Sequence, residues 1–347
     1  MTISLLPHDR SSIALERCKS FTFDVNQQAE NLVQWEQRYN QHSSGPFSGY
    51  LDELKLGGMH FFEEFTNQTL QQQCCVNESS VWLGFSLQAQ RPKINNNEID
   101  AGQLMIRPSG VDFELITPQD FHIFGLVLDR QTIANEMTGL DADLWLNQAN
   151  KMLVSETNNY VSYELAKLIQ LLLTSNNNSA FQDLLLNANN PARLKRLQPL
   201  IASKVADLLV QTESGLKELQ IQRPTKQRVI TAVNRHIEQT GHYPLTITEL
   251  CKIAHVSRRT LHYCFEQELG VSPVQYIRDC RLNEIRRILL KNETGRRISD
   301  LAVDFGFFHI STFNAHYRHL FGETPGQTIQ RAANYQNATI SYLSASK

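Results

Sequence analysis

From Ile247 to Pro273 the chain reads ITELCKIAHVSRRTLHYCFEQELGVSP, and from Ile298 to Pro325 it reads ISDLAVDFGFFHISTFNAHYRHLFGETP. The two stretches align at one constant offset before a central turn, and at an offset one residue larger after it. Each pattern predicts a short helix, a tight turn and a second helix whose outer face is free to enter a major groove. The repetition therefore predicts two helix-turn-helix units, at about 247–268 and 298–321.

Local signals in the first unit support this interpretation. Thr246 and Glu249 have the spacing of a capping box, which satisfies free N–H groups at the start of the first helix. Ser257 is placed to cap the second helix. Leu261 and Phe265 then fall four residues apart, so both are expected on the face that packs against the core.

In the second unit Gly306 and the following two phenylalanines form the predicted turn, and Phe313, Tyr317 and Phe321 continue as a buried stripe. The remaining side chains lie on or near the outer faces, where Arg matches guanine edges and His or Tyr reaches bases or phosphates. The residues that we expect to contact DNA are Arg258, Arg259, His262 and Tyr263 in the first unit and His309, Ser311, Thr312, Ala315, His316 and Arg318 in the second. The second set is less cationic, so we expect weaker base readout there.

Between the units, Ser272 and Pro273 are typical of a helix start, and Leu282, Ile285 and Leu289 give the apolar face of a linking helix that reaches about Lys291. A rigid helix of this length would hold the two units about 34 Å apart on one side of a duplex. If Arg287 on this helix meets only phosphate, its loss should weaken binding to all sequences alike.

These motifs, with the closing FGETPGQTIQR, resemble the DNA-binding domain of the AraC/XylS transcription regulators over roughly the last third of the chain. The resemblance implies two helix-turn-helix units that bind promoter DNA, usually preceded by an N-terminal effector-binding domain. It also implies RNA polymerase as a partner. It puts base contacts at Arg259, His262 and Tyr263, and near Ser311, Thr312 and Ala315. The alanine at 315 departs from the longer polar residue often found at that place.

The whole chain has 347 residues, 41% of them hydrophobic, which is enough for two or three soluble domains. No apolar run approaches the roughly 20 residues of a membrane span. The start lacks a basic segment followed by a long apolar one, so no secretory signal is expected. The six cysteines have neither disulfide-framework density nor metal-ligand spacing, which favours a reducing cytoplasm.

The net charge of −2 hides an asymmetry. From Pro224 onward there are 16 Lys and Arg against 10 Asp and Glu, whereas residues 1–223 hold 17 against 25. A basic module joined to an acidic one suggests a nucleic-acid-binding domain attached to a domain that does not bind nucleic acid.

The order of patterns predicts an α+β protein. Residues 1–150 are expected to form a β-rich sensor domain, because short alternating and apolar runs are separated by turn signals; an antiparallel, cupin-like roll is one such fold. Within it, residues 29–41 have a more helical pattern. Residues 224–335 are the predicted all-α DNA-binding domain, and residues 336–347 a tail.

Residues 151–223 have the pattern of a helical middle segment. Leu165, Leu168, Ile169 and Leu172 form one apolar stripe there, and a second stripe comprises Leu197, Ile201, Val205, Leu208 and Leu209. Two uses of these stripes remain open. They could form a homodimer surface, or they could pack on the sheet of their own chain.

Catalysis is not expected in the first domain. A cupin-type metal site needs clustered histidines and a carboxylate, and this half offers only His8, His42, His60 and His122, with no His-x-His pair. Cys74 and the adjacent Cys75 have no basic partner nearby in sequence, and no Gly-rich phosphate loop precedes a helix. No cofactor is therefore required. A catalytic cupin fused to a DNA reader stays as the alternative from a different class.

A ligand pocket is the better interpretation of this domain. Its aromatic residues offer apolar walls, and Trp82 could stack over a cationic ligand. The candidate effector contacts are Trp82, Glu63, Glu64, Arg107 and Glu114.

Several segments of the first 130 residues, among them WEQRYNQ, SSVWLGF and RPSGVDFELITPQDF, look like segments of regulators of ethanolamine-utilisation operons within the same family. That resemblance implies an activator that responds to ethanolamine and adenosylcobalamin. The alternative is a regulator of the same family with another effector, such as a sugar, a fatty acid or an aromatic acid.

Overall fold

A computed structural model describes residues 15–32, 35–155, 159–174, 191–212, 216–218, 225–240, 245–291 and 296–334. Its N-terminal half is built from strands and its C-terminal third from helices, in agreement with the α+β class that the sequence predicts. His8 and the C-terminal tail fall outside these residues.

The strands form two antiparallel sheets. The strands are β1 (Leu15–Thr22), β2 (Trp35–Gln41), β3 (Gly49–Leu56), β4 (Met59–Thr66), β5 (Leu70–Val76), β6 (Ser80–Phe85), β7 (Lys93–Ile94), β8 (Asn97–Glu98), β9 (Met105–Pro108), β10 (Phe113–Thr117), β11 (Phe121–Asp129), β12 (Leu153–Ser155) and β13 (Leu216–Glu218). The larger sheet has the order β1-β3-β4-β11-β6-β9-β12-β13, and the smaller sheet the order β2-β5-β10-β7-β8.

The two sheets pack face to face, and this arrangement is called the sandwich below. Phe62, Trp82 and Val127 from the larger sheet share one buried cluster with Cys74 and Phe113 from the smaller sheet. Alternate residues of the larger sheet face the other way, because successive side chains of a strand point to opposite faces. The specific cupin-like connection remains a prediction.

Helices cover the outer face of the larger sheet. The helices of this half are α1 (Val25–Asn31), α2 (Arg130–Ala134), α3 (Leu140–Gln148), α4 (Asn159–Leu173) and α5 (Pro191–Val210). The stripe on α4 and the stripe on α5 are both buried against the sheet in one core. Of the two uses left open by the sequence, packing on the same chain is therefore the one observed, which leaves these stripes unavailable as a dimer surface.

Two segments differ from the sequence prediction. Residues 35–41, expected to be helical, form the edge strand β2, since Tyr39 packs inside the sandwich next to β5. The apolar residues of this segment happen to have helical spacing, but pairing with β5 makes the segment a strand. The middle segment is also not wholly helical, because β12 and β13 extend the larger sheet.

The C-terminal part is all helix in the described residues. Its helices are α6 (Thr225–Thr240), α7 (Ile247–Ala254), α8 (Arg258–Leu269), α9 (Pro273–Lys291), α10 (Ile298–Asp304) and α11 (Ile310–Phe321), and residues 325–334 are also helical. The predicted caps are present: Thr246 and Glu249 form a capping box, and the Ser257 side chain accepts a hydrogen bond from the Thr260 N–H. Gly270 and Gly322 end α8 and α11 in the left-handed conformation that glycine adopts without strain.

The buried stripes of these helices match their predicted phase. Leu261 and Phe265 lie in a core with α6 and α7, whereas Phe313, Tyr317 and Phe321 lie in a second core with α10. The linking helix α9 contributes to both cores, with Tyr276 in the first and Leu282, among others, in the second. One helix therefore holds the two helix pairs, α7 with α8 and α10 with α11, in a fixed relation.

The sandwich is joined to the helical part through the buried carboxylate of Asp24. Asp24 caps α1, and its Oδ2 lies 2.8 Å from Arg286 Nη2 and 2.7 Å from Arg331 Nη2. Glu323 completes the cluster at 2.8 Å from Arg286 Nη2. Burial acts to raise the pKa of Asp24, but the two arginines outweigh it and hold the pKa below its ordinary value.

A second set of contacts covers the free edge of β2. The Asn283 side chain accepts a hydrogen bond from Gln41 N and donates one to Gln41 O, each at 2.9 Å. Arg287 Nη2 donates to Tyr39 O at 2.8 Å. Side chains of α9 thus satisfy backbone groups that an edge strand otherwise leaves to solvent or to another chain.

Replacing Asp24 by alanine leaves Arg286 buried with one fewer counter-charge, and removes the α1 cap. Because breaking a buried ion pair strands its partner, we expect a loss of about 3–5 kcal/mol in the free energy of unfolding. Urea denaturation followed by circular dichroism measures it. The Asp24 contribution should be complete well above the ordinary aspartate pKa, and should disappear as the pH falls through the lower folded-state pKa.

The matched control is Asp304→Ala. Asp304 pairs with Arg296 at an exposed position, where ion pairs contribute about 0–1 kcal/mol. Equal losses in the two variants would contradict a structural role for the Asp24 cluster.

Candidate nucleic-acid interface and sandwich interior

The outer face of α8 carries the first set of predicted DNA contacts. Arg258, Arg259 and Tyr263 are exposed and His262 is half-buried, so all four are accessible on the side opposite Leu261. Lys226 Nζ of α6 lies 4.7 Å from the centre of the Tyr263 ring. The face is therefore cationic, and it presents two adjacent guanidinium groups at the N-terminal end of the helix.

The outer face of α11 carries the second set. The residues found exposed are His309, Ser311, Thr312, Ala315 and Arg318, whereas His316 is half-buried. Partial burial and the charges of Arg278 and His319 lower the pKa of His316, which favours a neutral imidazole. Phe308, at the turn, is 72% exposed, although its neighbour Phe307 packs on Phe313.

A groove of about 310 Å³ lies between α9, α11 and the start of α7. Thr312 and His316 line one wall, and Arg278 and Arg281 of α9 line the other. Neither arginine is among the DNA contacts predicted from the sequence. Their spacing of three residues puts them on one face of α9, which is the signal that could have identified them.

Arg287 does not face this groove, so the phosphate-only role considered for it does not match its position. It donates to Tyr39 O and to Asn40 Oδ1 and pairs with Glu284 at 2.7 Å, so it belongs to the contact with β2. Arg287 follows Arg281 by six residues, which places the two arginines on different faces of the helix.

The sandwich docks away from the outer faces of α8 and α11. Its described hydrogen bonds reach α9 through residues such as Tyr276 and Asn283, and they reach the last turns of α8 and α11 through Glu268 O and Leu320 O. Both faces with the predicted DNA contacts are therefore open in this arrangement.

The five candidate effector residues do not converge on one point. Trp82, Glu64 and Arg107 are buried on the inner face of the larger sheet. Glu63 points to the opposite face, where its Oε1 lies 3.1 Å from the Tyr50 hydroxyl. Glu114 lies on the outer face of the smaller sheet and accepts from Gln71 Nε2 at 2.5 Å.

Glu64 is a carboxyl group inside the sandwich. Gln28 Nε2 donates to its Oε1 at 2.9 Å, and the Tyr39 hydroxyl does so at 3.3 Å. Burial raises the pKa of Glu64 to about 7, with these two hydrogen bonds acting in the opposite direction. A carboxyl of this kind changes protonation near neutral pH and gains most from a cationic neighbour.

Arg107 is the corresponding cation, and it is fully buried beside Trp82. Trp82 itself stacks on Phe113, with ring centres 5.2 Å apart. Arg107 and Glu64 are on strands three apart in the sheet order, so they are separate features of the same interior.

The histidines of this half are dispersed. His42 stacks on Tyr276, His60 lies 2.7 Å from Glu53 Oε2, and His122 lies 3.3 Å from Glu63 Oε1. Within the described ranges, no group of three or more His, Cys, Asp or Glu residues is arranged to hold a metal ion. In the same part of the chain, no helix is long and apolar enough to cross a membrane.

Comparison with known proteins places this arrangement in a family. The family profile described as "Helix-turn-helix domain" matches residues 250–331. The chain is 30% identical over 131 residues to XylDLEGF operon transcriptional activator 2 of Pseudomonas putida, which covers 38% of this chain and 80% of that protein. It is 32% identical over 134 residues to XylDLEGF operon transcriptional activator 1 of Pseudomonas putida, which covers 38% of this chain and 39% of that protein.

The chain thus matches about two fifths of the length of the latter relative. A crystal structure of the AraC-like transcriptional activator CuxR aligns with 80% of this chain and 96% of that chain at 17% identity, with a TM-score of 0.38, too low to establish a common fold. The regulator that is matched over four fifths of its own length, together with the helix-turn-helix profile, decides the assignment. The chain belongs to the AraC/XylS family of transcription regulators.

Proposed function

We propose that this protein binds promoter DNA through α8 and α11 and controls transcription in response to a small molecule held in the sandwich. The observation that carries the proposal is the pair of exposed, cation-bearing faces held by α9, in the segment that the helix-turn-helix profile matches. In this reading α7 with α8 and α10 with α11 are two helix-turn-helix units, and α8 and α11 are the recognition helices.

Within the first unit, Arg259, His262 and Tyr263 are the proposed base readers. The exposed guanidinium of Arg259 can make two hydrogen bonds to a guanine edge. The second unit offers short side chains at Ser311 and Ala315, so it contributes more to position on the DNA than to sequence reading. The relatives are named as transcriptional activators, which favours activation and recruitment of RNA polymerase as the outcome.

The effector is proposed to be a small ammonium alcohol, ethanolamine, with adenosylcobalamin as a second ligand. The resemblance of the first 130 residues to ethanolamine-operon regulators suggests both compounds. Glu64 supports the first, because its buried carboxyl would gain a counter-charge from an ammonium group. No described feature by itself indicates a corrinoid site. A different effector, or a homodimer, is compatible with the same DNA-binding mechanism.

Effector binding would act by shifting a population between arrangements of the sandwich and the helices. The route is short. Gln71 on β5 lies 2.9 Å from the Tyr276 hydroxyl of α9, and its neighbour Gln72 faces the sandwich interior. A change of sheet spacing around a ligand would therefore reach the helix that holds both units.

We expect Arg259→Ala to cost about 1–3 kcal/mol of specific binding and to relax the preference at one base pair, because a two-point guanine contact is lost. Fluorescence anisotropy against DNA that the wild type selects from a random pool, and against random DNA, measures both. An equal loss on the two DNAs would contradict the role of base reader.

Arg281 and Arg287 provide a matched pair on one helix. Arg281→Ala should weaken binding to all sequences and reduce the slope of log affinity against log salt by about 0.9, the value for one phosphate contact. Arg287→Ala removes a group that faces β2, so the slope should stay unchanged. Titrations from low to physiological salt test this, and identical slopes for both variants would refute a phosphate contact by Arg281.

Ethanolamine should raise the melting temperature of the full-length protein, and Glu64→Gln should abolish the rise. Because burial raises the Glu64 pKa to about 7, its charged form is lost as the pH falls below that value. The ammonium stays charged, so affinity should be higher at pH 8 than at pH 6. Glu114→Gln, on the outer face of the smaller sheet, is the control. A response that is independent of pH, or that survives in Glu64→Gln, would place the ammonium elsewhere.

A further inference from the structure

The turn between the helices of the second pair is one residue longer than the turn of the first pair. His255 and Gly306 correspond, because each has the left-handed backbone conformation just after the first helix of its pair. The N-cap residue of α8, Ser257, follows His255 by two positions. The N-cap residue of α11, His309, follows Gly306 by three. Phe308 is therefore the residue that the second turn has in addition.

This added residue carries a large aromatic side chain that is mostly in solvent. Phe308 is 72% exposed, whereas the ring of Phe307 beside it packs on Phe313. Two other apolar side chains are exposed close by. Ile310, the first residue of α11, is 44% exposed, and Val274, which lines the same groove as Phe308, is 55% exposed. Single exposed apolar side chains are ordinary on protein surfaces, but a group of them indicates a binding surface.

The groups around this apolar surface suit nucleic acid. His309 and Thr312, two of the predicted DNA contacts, line the groove together with Phe308. Arg278 and Arg281 line its other wall and bring positive charge, which attracts a phosphate backbone. The apolar surface is thus continuous with the proposed DNA-binding face of α11, so DNA is the partner that its surroundings favour.

The two helix pairs differ in chemistry at corresponding positions. When the N-caps of α8 and α11 are aligned, Arg258 corresponds to Ile310, and Arg259 corresponds to Ser311. The first pair therefore presents two guanidinium groups where the second presents an alkyl group and a short hydroxyl. Guanidinium groups match the acceptors of guanine, whereas apolar side chains match the methyl group of thymine.

Thymine is the base that offers an apolar group in the major groove. Its 5-methyl group projects there, and phenylalanine is among the side chains that contact it. Phe308 directly precedes the N-terminal end of α11, and this end of a recognition helix is the part that contacts base edges. The polar side chains at Ser311 and Thr312 are short, so apolar contact is the direct reading that this helix can add.

We propose that Phe308, together with Ile310, contacts the 5-methyl group of a thymine in the part of the DNA site that α11 binds. Phe308 is thereby a specificity-determining residue of the second helix pair. The inference rests on the proposed function and deepens it, because it names the base that the second pair reads. The DNA site would then have guanine in the half bound by α8 and thymine in the half bound by α11.

A change made to the DNA alone tests the proposal. Sites are first selected from a random pool with the wild-type chain, and the half that loses its preference in Arg259→Ala is assigned to α8. Each thymine of the other half is then replaced by deoxyuridine, which removes the methyl group and keeps the base pairing. At least one replacement should weaken binding about fourfold, the factor that corresponds to one buried methyl group. Fluorescence anisotropy measures it, without dependence on the folding of a variant.

Phe308→Ala tests the same contact from the protein side. It should lose about the same fourfold on thymine DNA and lose nothing further on the deoxyuridine DNA, because both changes remove one contact. Its melting temperature should stay at the wild-type value, since most of the ring is in solvent. Val303→Ala is the matched control. It removes a 49% exposed apolar side chain of α10 that does not line the groove, so it should remain as sensitive to deoxyuridine as the wild type.

The inference is overturned if no thymine in the half bound by α11 responds to deoxyuridine, or if Phe308→Ala responds as strongly as the wild type. It is also overturned if Phe308→Ala binds every DNA normally but fails to stimulate RNA polymerase in a purified transcription assay, which would assign the ring to a protein contact. A wild type that selects no DNA sequence would instead refute the proposed function. Selection that depends on Arg259 but ignores the methyl groups would refute this inference alone.

Discussion

Asp24 is completely buried, and its charge must be matched because an isolated carboxylate in such a position would be strongly unfavourable. The matching charges come from Arg286 and Arg331, more than 260 residues further along the chain. The first helix of the sandwich, the linking helix and the C-terminal helical residues therefore meet at one point. The orientation of the sandwich relative to α8 and α11 depends on this cluster, since α9 carries Arg286 on one face and packs against the two helix pairs with its other faces.

The same dependence explains how a change inside the sandwich would reach the exposed faces of α8 and α11. The outer surface of the smaller sheet, through Gln71 and Glu114, contacts Tyr276 and Asn234 of the helical domain. The inner surface of that sheet lines the space in which Glu64 and Arg107 lie. One layer of backbone thus separates these candidate effector contacts from the helices that would read DNA.

Features that depend on near neighbours in sequence could be predicted. The capping box at Thr246, the cap at Ser257 and the stripe through Phe313 and Tyr317 are set by spacings of three or four residues, and the structure has all of them. Features that depend on distant partners could not. Residues 35–41 have helical spacing but become a strand because β5 is available to pair with them.

Burial of polar groups also depends on partners that are distant in sequence, so it could not be predicted. Glu63, Glu64 and Glu114 have similar sequence surroundings, but strand parity and sheet position send them to three different places, and only Glu64 reaches the interior. Arg281 and Arg287 likewise differ only in helical phase, and their roles separate once the sandwich covers one face of α9. Residue type suggested the glutamates and drew attention to Arg287, and tertiary contacts determine where each of these side chains lies.

The contact between α9 and β2 has a consequence for assembly. Asn283 and Arg287 occupy hydrogen-bonding positions that a further β-strand would otherwise take. These hydrogen bonds are polar, so water can replace them if the helix moves away. What remains is an open strand edge with correctly spaced backbone donors and acceptors, and a second copy of the chain carries the same edge. Release of the helix would thus create a self-complementary surface, and the docked arrangement keeps that surface covered.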